Sequence, residues 1–177
     1  TLRRNNMNKI VKLTIIAIVI SVSISMLSTS LFSDQHNAPA DTSKKVEKIG
    51  SLKGSTTTKT LPAEGSLPKF EVSAQTSGTL AGVEVTSMGT YWAEMQANGT
   101  IYGECPNAGV FMAQDGVATF RESGTGSFTA DGGSTFKGVV YVQTTAPSLA
   151  SLNGAALVYN WDVDAEGNAT WELWEWK

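Results

Sequence analysis

TYWAEMQANGTIYGE, residues 90–104, is the stretch on which the fold turns. Two runs of alternating apolar and polar residues flank Asn98 and Gly99. A two-residue hairpin loop needs positive φ, which Asn and Gly tolerate at least cost. The stretch therefore reads as two antiparallel strands joined by a tight turn. The same grammar recurs on both sides. Alternating runs are expected at 70–76, 80–87, 90–96, 100–104, 110–113, 117–121, 126–130, 136–144, 155–163 and 169–176. Turn signals separate many of them: Ser77 with Gly78, Asp115 with Gly116, Asp131 to Gly133, and Glu166 to Asn168. Residues 148–153 (SLASLN) fit one short helical turn. Glycines at 82, 89, 103, 124 and 138 fall inside or between the runs, where they mark bulges or sharp coiling of a sheet. Successive strands with short turns form a meander. The expected fold is all-β: a single antiparallel up-and-down barrel of about eight strands, with a β-sandwich as the alternative.

Upstream of this region the composition changes. Arg3, Arg4, Lys9 and Lys12 precede an uncharged run from Leu13 to Phe32. This layout is that of a secretory signal, and its length approaches that of a bilayer span. Residues 1–32 are therefore expected to be a signal peptide or transmembrane anchor helix. Basic residues before the run favour an inside N-terminus, with the remainder facing outside or secreted after cleavage. Residues 33–69 are polar and Lys-rich and read as a flexible linker, with a possible edge strand at 55–61. The barrel is then assigned to 70–177. A lipid bilayer is the expected partner of the N-terminal segment.

Charge and composition exclude several chemistries. Residues 70–177 carry three basic residues (Arg121, Lys137, Lys177) against twelve acidic ones, a net of −9. Such a surface repels phosphate backbones, so nucleic acid is not an expected partner. The only histidine is His36, and the only cysteine is Cys105. Catalysis by a Ser-His-Asp or Cys-His set is excluded beyond residue 36, as is a zinc site. No cofactor is implied. Cys105 reads as a small buried hydrophobe. Asp162, Asp164 and Glu166, followed by Gly167, resemble the start of a calcium loop. The bidentate Glu that such a loop needs is replaced by Leu173, so a plain acidic hairpin is the reading and no metal is expected.

The words VEVTSMGTYW, IYGE, GTGSF, FKGVVYVQTT, LASLNG and DAEGNATWELWEWK resemble a family of small uncharacterised prokaryotic proteins, largely archaeal. Their Gly-rich pattern is in turn similar to allene oxide cyclase-like barrels of unknown function. The resemblance implies an eight-stranded antiparallel barrel with an apolar cavity. It transfers no catalytic residue.

Candidate site residues follow from pairing on strand faces. Trp92, Tyr102, Glu104, Tyr141 and Gln143 place carboxylate and amide groups among aromatics, an arrangement that orients a ligand in an apolar pocket. Asn98 and Asn168 begin the acceptor sequons Asn-Gly-Thr and Asn-Ala-Thr at expected turns. The leading functional expectation is a non-catalytic module binding a small apolar ligand. The alternatives are a structural or interaction protein of the cell envelope and a cyclase- or isomerase-like enzyme.

Overall fold

The computed structural model describes residues 46–63 and 65–177. The expected leader and the first part of the linker lie outside these residues. Eight strands run in chain order: β1 (Val46–Leu61), β2 (Lys69–Leu80), β3 (Val83–Met95), β4 (Ile101–Ala113), β5 (Gly116–Phe128), β6 (Ser134–Thr144), β7 (Leu157–Val163) and β8 (Asn168–Trp176). Each pairs antiparallel with the next, and β1 pairs with β8 to close the barrel. A 3-10 turn, Pro147–Leu152, links β6 to β7 where a short helical turn was expected. No helix among the described residues is long and apolar enough to cross a membrane, which says nothing about strands.

Three local expectations differ from what is observed. The segment 55–61, read as a possible edge strand in a linker, is the end of a 16-residue barrel strand; it pairs with β2 to Leu61, whereas the pairing of β1 with β8 stops at Ser55. Closure removes edges, and β1 supplies the seam. The turn expected at Ser77 and Gly78 falls at Ala81 and Gly82, with φ of 51° and 80°. Leu80 pairs with Val83 across it, a two-residue loop with both central residues at positive φ. The runs expected to break near residues 89, 106 and 124 are continuous strands instead. Their glycines bend the sheet without ending it.

Alternation sets an inside and an outside. Leu52, Leu80, Val85, Ile101, Cys105, Phe111, Phe120, Val140, Leu157, Trp171 and Leu173 point inward and are buried. Each large apolar side chain removed from water contributes about 1.5–3 kcal/mol. A narrow barrel cannot hold a full complement of rings unless facing positions are small, and glycine supplies that room. A methyl on Gly109 would strike the Phe120 ring, and one on Gly124 would strike the Tyr159 hydroxyl. Phe111 stacks on Trp171 at 5.4 Å, and Phe120 lies 4.7 Å from Phe111 and 5.2 Å from Trp171.

The two ends of the barrel differ. The end that carries the 81–82 turn and the 3-10 turn is filled: Leu149 and Leu152 of the 3-10 turn are buried in the core. Asp115 holds this plug by accepting hydrogen bonds from the Ser148 amide (2.8 Å) and hydroxyl (2.6 Å). At the opposite end the loops are 62–68, 96–100, 129–133 and 164–167. There an apolar cup of about 90 Å³ opens, lined by Phe70, Val72, Ala93, Ile101 and Phe136 among others.

Candidate functional site

The ladder of β4 is interrupted. Cys105 pairs with Glu122 of β5 and Gly109 pairs with Phe120, so residues 106–108 form a bulge. Pro106 has no N–H to donate. Asn107 takes φ of 58°, the left-handed region that Asn adopts more readily than most residues. The register of β3 against β4 also shifts between Gly89 and Trp92. The wall is therefore irregular at one level of the barrel, its waist.

Glu122 lies at this level. In β5 the inward positions are Ala118, Phe120, Glu122 and Gly124, so the carboxylate-bearing residue occupies a core position. It is half-buried. It borders a small internal void of about 20 Å³ with Thr76, Ser87, Tyr91, Cys105, Trp161 and Trp171. It also borders an outer vestibule of about 590 Å³ in front of the bulge. The Glu122 carboxyl makes no hydrogen bond or ion pair with another described residue. Burial alone pushes its carboxyl up to about 8, so the group is held largely neutral at pH 7.

The neighbours of Glu122 stay neutral as well. Burial, reinforced by Glu122, pushes the Cys105 thiol up to about 11. Tyr91 rises to about 12, mainly through burial; the indole N–H of Trp161, which donates to its hydroxyl at 3.1 Å, opposes that rise. Tyr159 is raised further by burial and then by Glu122. Two buried polar atoms on residues that line the void lack any partner among the described residues: Thr76 Oγ1 and Trp171 Nε1. Both residues are only 4% exposed. A buried unpaired donor costs free energy, so these atoms mark a place with unused hydrogen-bonding capacity.

The residues singled out in the sequence lie on the outer face. Ile101, Gly103 and Cys105 point inward, which sends Tyr102 and Glu104 out. Trp92 packs against Tyr102 with ring centroids 5.4 Å apart, and Lys69 lies over the Trp92 ring. The Tyr102 hydroxyl donates to Glu104 Oε2 at 3.3 Å. Tyr141 is exposed beneath the Arg121 guanidinium, and Gln143 is exposed two residues on. Tyr102, Glu104 and Tyr141 meet in the vestibule, together with Asn107, Arg121 and Ser123. Tyr141 and Gln143 line an adjoining surface hollow. None of the five enters the barrel. Glu122 was missed because the expected strand stopped at Arg121. The period-two series Ala118, Phe120, Glu122 was available in the sequence to extend it.

Asn98 and Asn168 are exposed at turns. Asn98 Oδ1 accepts hydrogen bonds from the Thr100 amide and hydroxyl (3.1 and 2.7 Å). Asn168 Nδ2 donates to Asp164 Oδ2 at 2.8 Å. Asp164 thereby caps its own hairpin, and its neighbours' hydrogen bonds hold its carboxyl below the usual range. Among the described residues no three of His, Cys, Asp and Glu converge in a metal-binding group.

These features define an all-β, closed eight-stranded barrel with a half-buried carboxyl at its waist. No protein-family model matches the chain, and no curated protein matches it in sequence. Among solved structures it is similar to a conserved protein of unknown function from Rhodopseudomonas palustris. That match has a TM-score of 0.62 at 10% identity and covers 74% of this chain and 96% of the other. Likeness at that identity establishes a shared barrel fold.

Proposed function

We propose that this barrel is a non-catalytic binding module that takes the apolar end of a small ligand at its open mouth. The observation that carries the reading is the inequality of the two ends: one is plugged by Leu149 and Leu152, the other holds the 90 Å³ cup. Ligand pockets for drug-sized molecules are about 300–1,000 Å³, so this cup accommodates a ring or a short branched chain and no more. Phe128 stands half in solvent at the rim, in edge contact with Phe70 at 6.3 Å. An aromatic pair at a wet rim offers a large contact area with few rotatable bonds. The chain is further read as a relative of the largely archaeal family and of allene oxide cyclase-like barrels, which is consistent with a cavity in a closed barrel. The sequence of the N-terminal segment supports display on the outer side of a membrane, either tethered or released.

Titration of the protein with toluene, followed by amide and methyl NMR, tests the reading. Saturable shifts should concentrate at Ala93, Ile101 and Val163. Ala93→Phe fills the cup and should abolish them; Ala93→Leu serves if the larger ring disturbs folding. Shifts spread evenly over the outer face, or none, would refute mouth binding.

A further inference from the structure

The mouth does not account for the waist. There a core position carries a carboxyl, the wall beside it is bulged, and two donors buried behind it have no partner. The void they share has about 20 Å³, the room of one water-sized group. Trp171 Nε1–H can only donate, so it needs an acceptor. The Thr76 hydroxyl can donate to the same atom. A carbonyl oxygen has two lone pairs, which up to three donors can share, and is of the size the void admits. The body of the molecule then lies outside, in the vestibule shared by Glu122, Cys105, Pro106 and Asn107.

We propose that the β4 bulge is a port through the barrel wall, and that Trp171 Nε1, Thr76 Oγ1 and the Glu122 carboxyl behind it bind the oxygen of a small neutral carbonyl compound, a ketone or an amide. This site is separate from the mouth and stands or falls independently of it. Glu122 contributes as a donor while it is protonated. Ionised, it confronts the carbonyl oxygen with negative charge, so affinity declines as pH rises through about 8. The other groups facing Glu122 from inside are Tyr91 on β3, Cys105 on β4 and Tyr159 on β7, all raised well past that range. On the vestibule side the charged groups are Glu104 and Arg121.

Cyclohexanone and methylenecyclohexane form the test pair. They match in shape, and only the first has an acceptor. Cyclohexanone should shift the Trp171 indole N–H resonance, identified by its loss in Trp171→Phe, and should bind at least roughly fivefold tighter than the hydrocarbon, the worth of one ordinary hydrogen bond. Thr76→Val should remove most of that preference. Between pH 7 and pH 9 the wild-type affinity should fall, whereas Glu122→Gln, which keeps an N–H donor, should hold it constant. Equal binding of the two compounds would overturn the proposal. So would an unmoved Trp171 resonance, which would leave the void a site for water alone. Shifts at Ala93 and Val163 in place of Trp171 would overturn it too, and would leave mouth binding intact.

Discussion

The plugged half of the barrel and the open half are built from the same strands with different inward side chains. At the plugged end Leu52, Leu80, Phe111, Leu149, Leu157 and Leu173 leave no space, and none is more than 1% exposed. At the open end the inward positions include Thr56, Thr58, Ser134 and a half-exposed Phe128. The waist lies between, and Trp171 belongs to both regimes: its ring stacks on Phe111, while the residue also lines the void and its N–H is unpartnered. One continuous sheet thus carries a gradient from packing to recognition. Stability and binding should be separable by mutation along that gradient.

The sharpest way to break the comparison is at its packed extreme. Phe111→Ala removes a ring clasped by Phe120 and Trp171, and should cost about 3–5 kcal/mol in urea unfolding. A loss no larger than that at the rim would mean the ends do not differ. The middle of the gradient is probed by Glu122→Gln. In the unfolded chain this carboxyl titrates near its ordinary 4.5; in the barrel it titrates near 8. Between those values the folded form holds a proton that the unfolded chain has released. Its contribution to stability is therefore complete below about pH 4.5 and is lost as pH rises to about 8. At pH 9 the Gln variant should exceed wild type by roughly 2 kcal/mol, with the two nearly equal at pH 5. Parallel stability curves for the two proteins would place Glu122 in water. The smallest effect belongs to the mouth. Phe128→Ala should change stability by less than about 0.5 kcal/mol, while weakening toluene binding roughly threefold through lost apolar contact.

The general architecture was legible because turn chemistry and alternation agree over most of 70–177. Asn98 with Gly99, Asp115 with Gly116, and Glu166 with Gly167 all fall in or beside hairpin loops. The first strand was concealed by composition. Its inward positions include Gly50, Leu52, Gly54 and Thr56, so Leu52 alone among them supplies a large apolar side chain. Its outward positions carry Lys and Ser, which read as a solvated tether. Glycine also hid continuity. Gly89 and Gly109 resemble strand breaks, yet both face the Phe120 ring, for which they make room. The same absence of side chains inverted the site. Between Ile101 and Cys105 the inward residue is Gly103, which is silent, while Tyr102 and Glu104 display chemistry on the opposite face. Pattern alone favours the face with functional groups. Only the packed interior shows that the carboxyl with an altered environment is Glu122.

The seam between β1 and β8 joins residues as distant in the chain as Val46 and Trp176. A nascent polypeptide cannot complete the cylinder until its last strand has left the ribosome. Every shorter intermediate exposes two unpaired strand borders. Such long-range closure is slow by the relation between contact order and rate, and its open forms are prone to join with one another. Circular permutation that links residue 177 to residue 46 and opens the Ala81–Gly82 turn would convert this closing step into a local hairpin. The permuted chain should fold faster, and its lead over the native order would measure how much of the barrier lies in bringing β1 and β8 together.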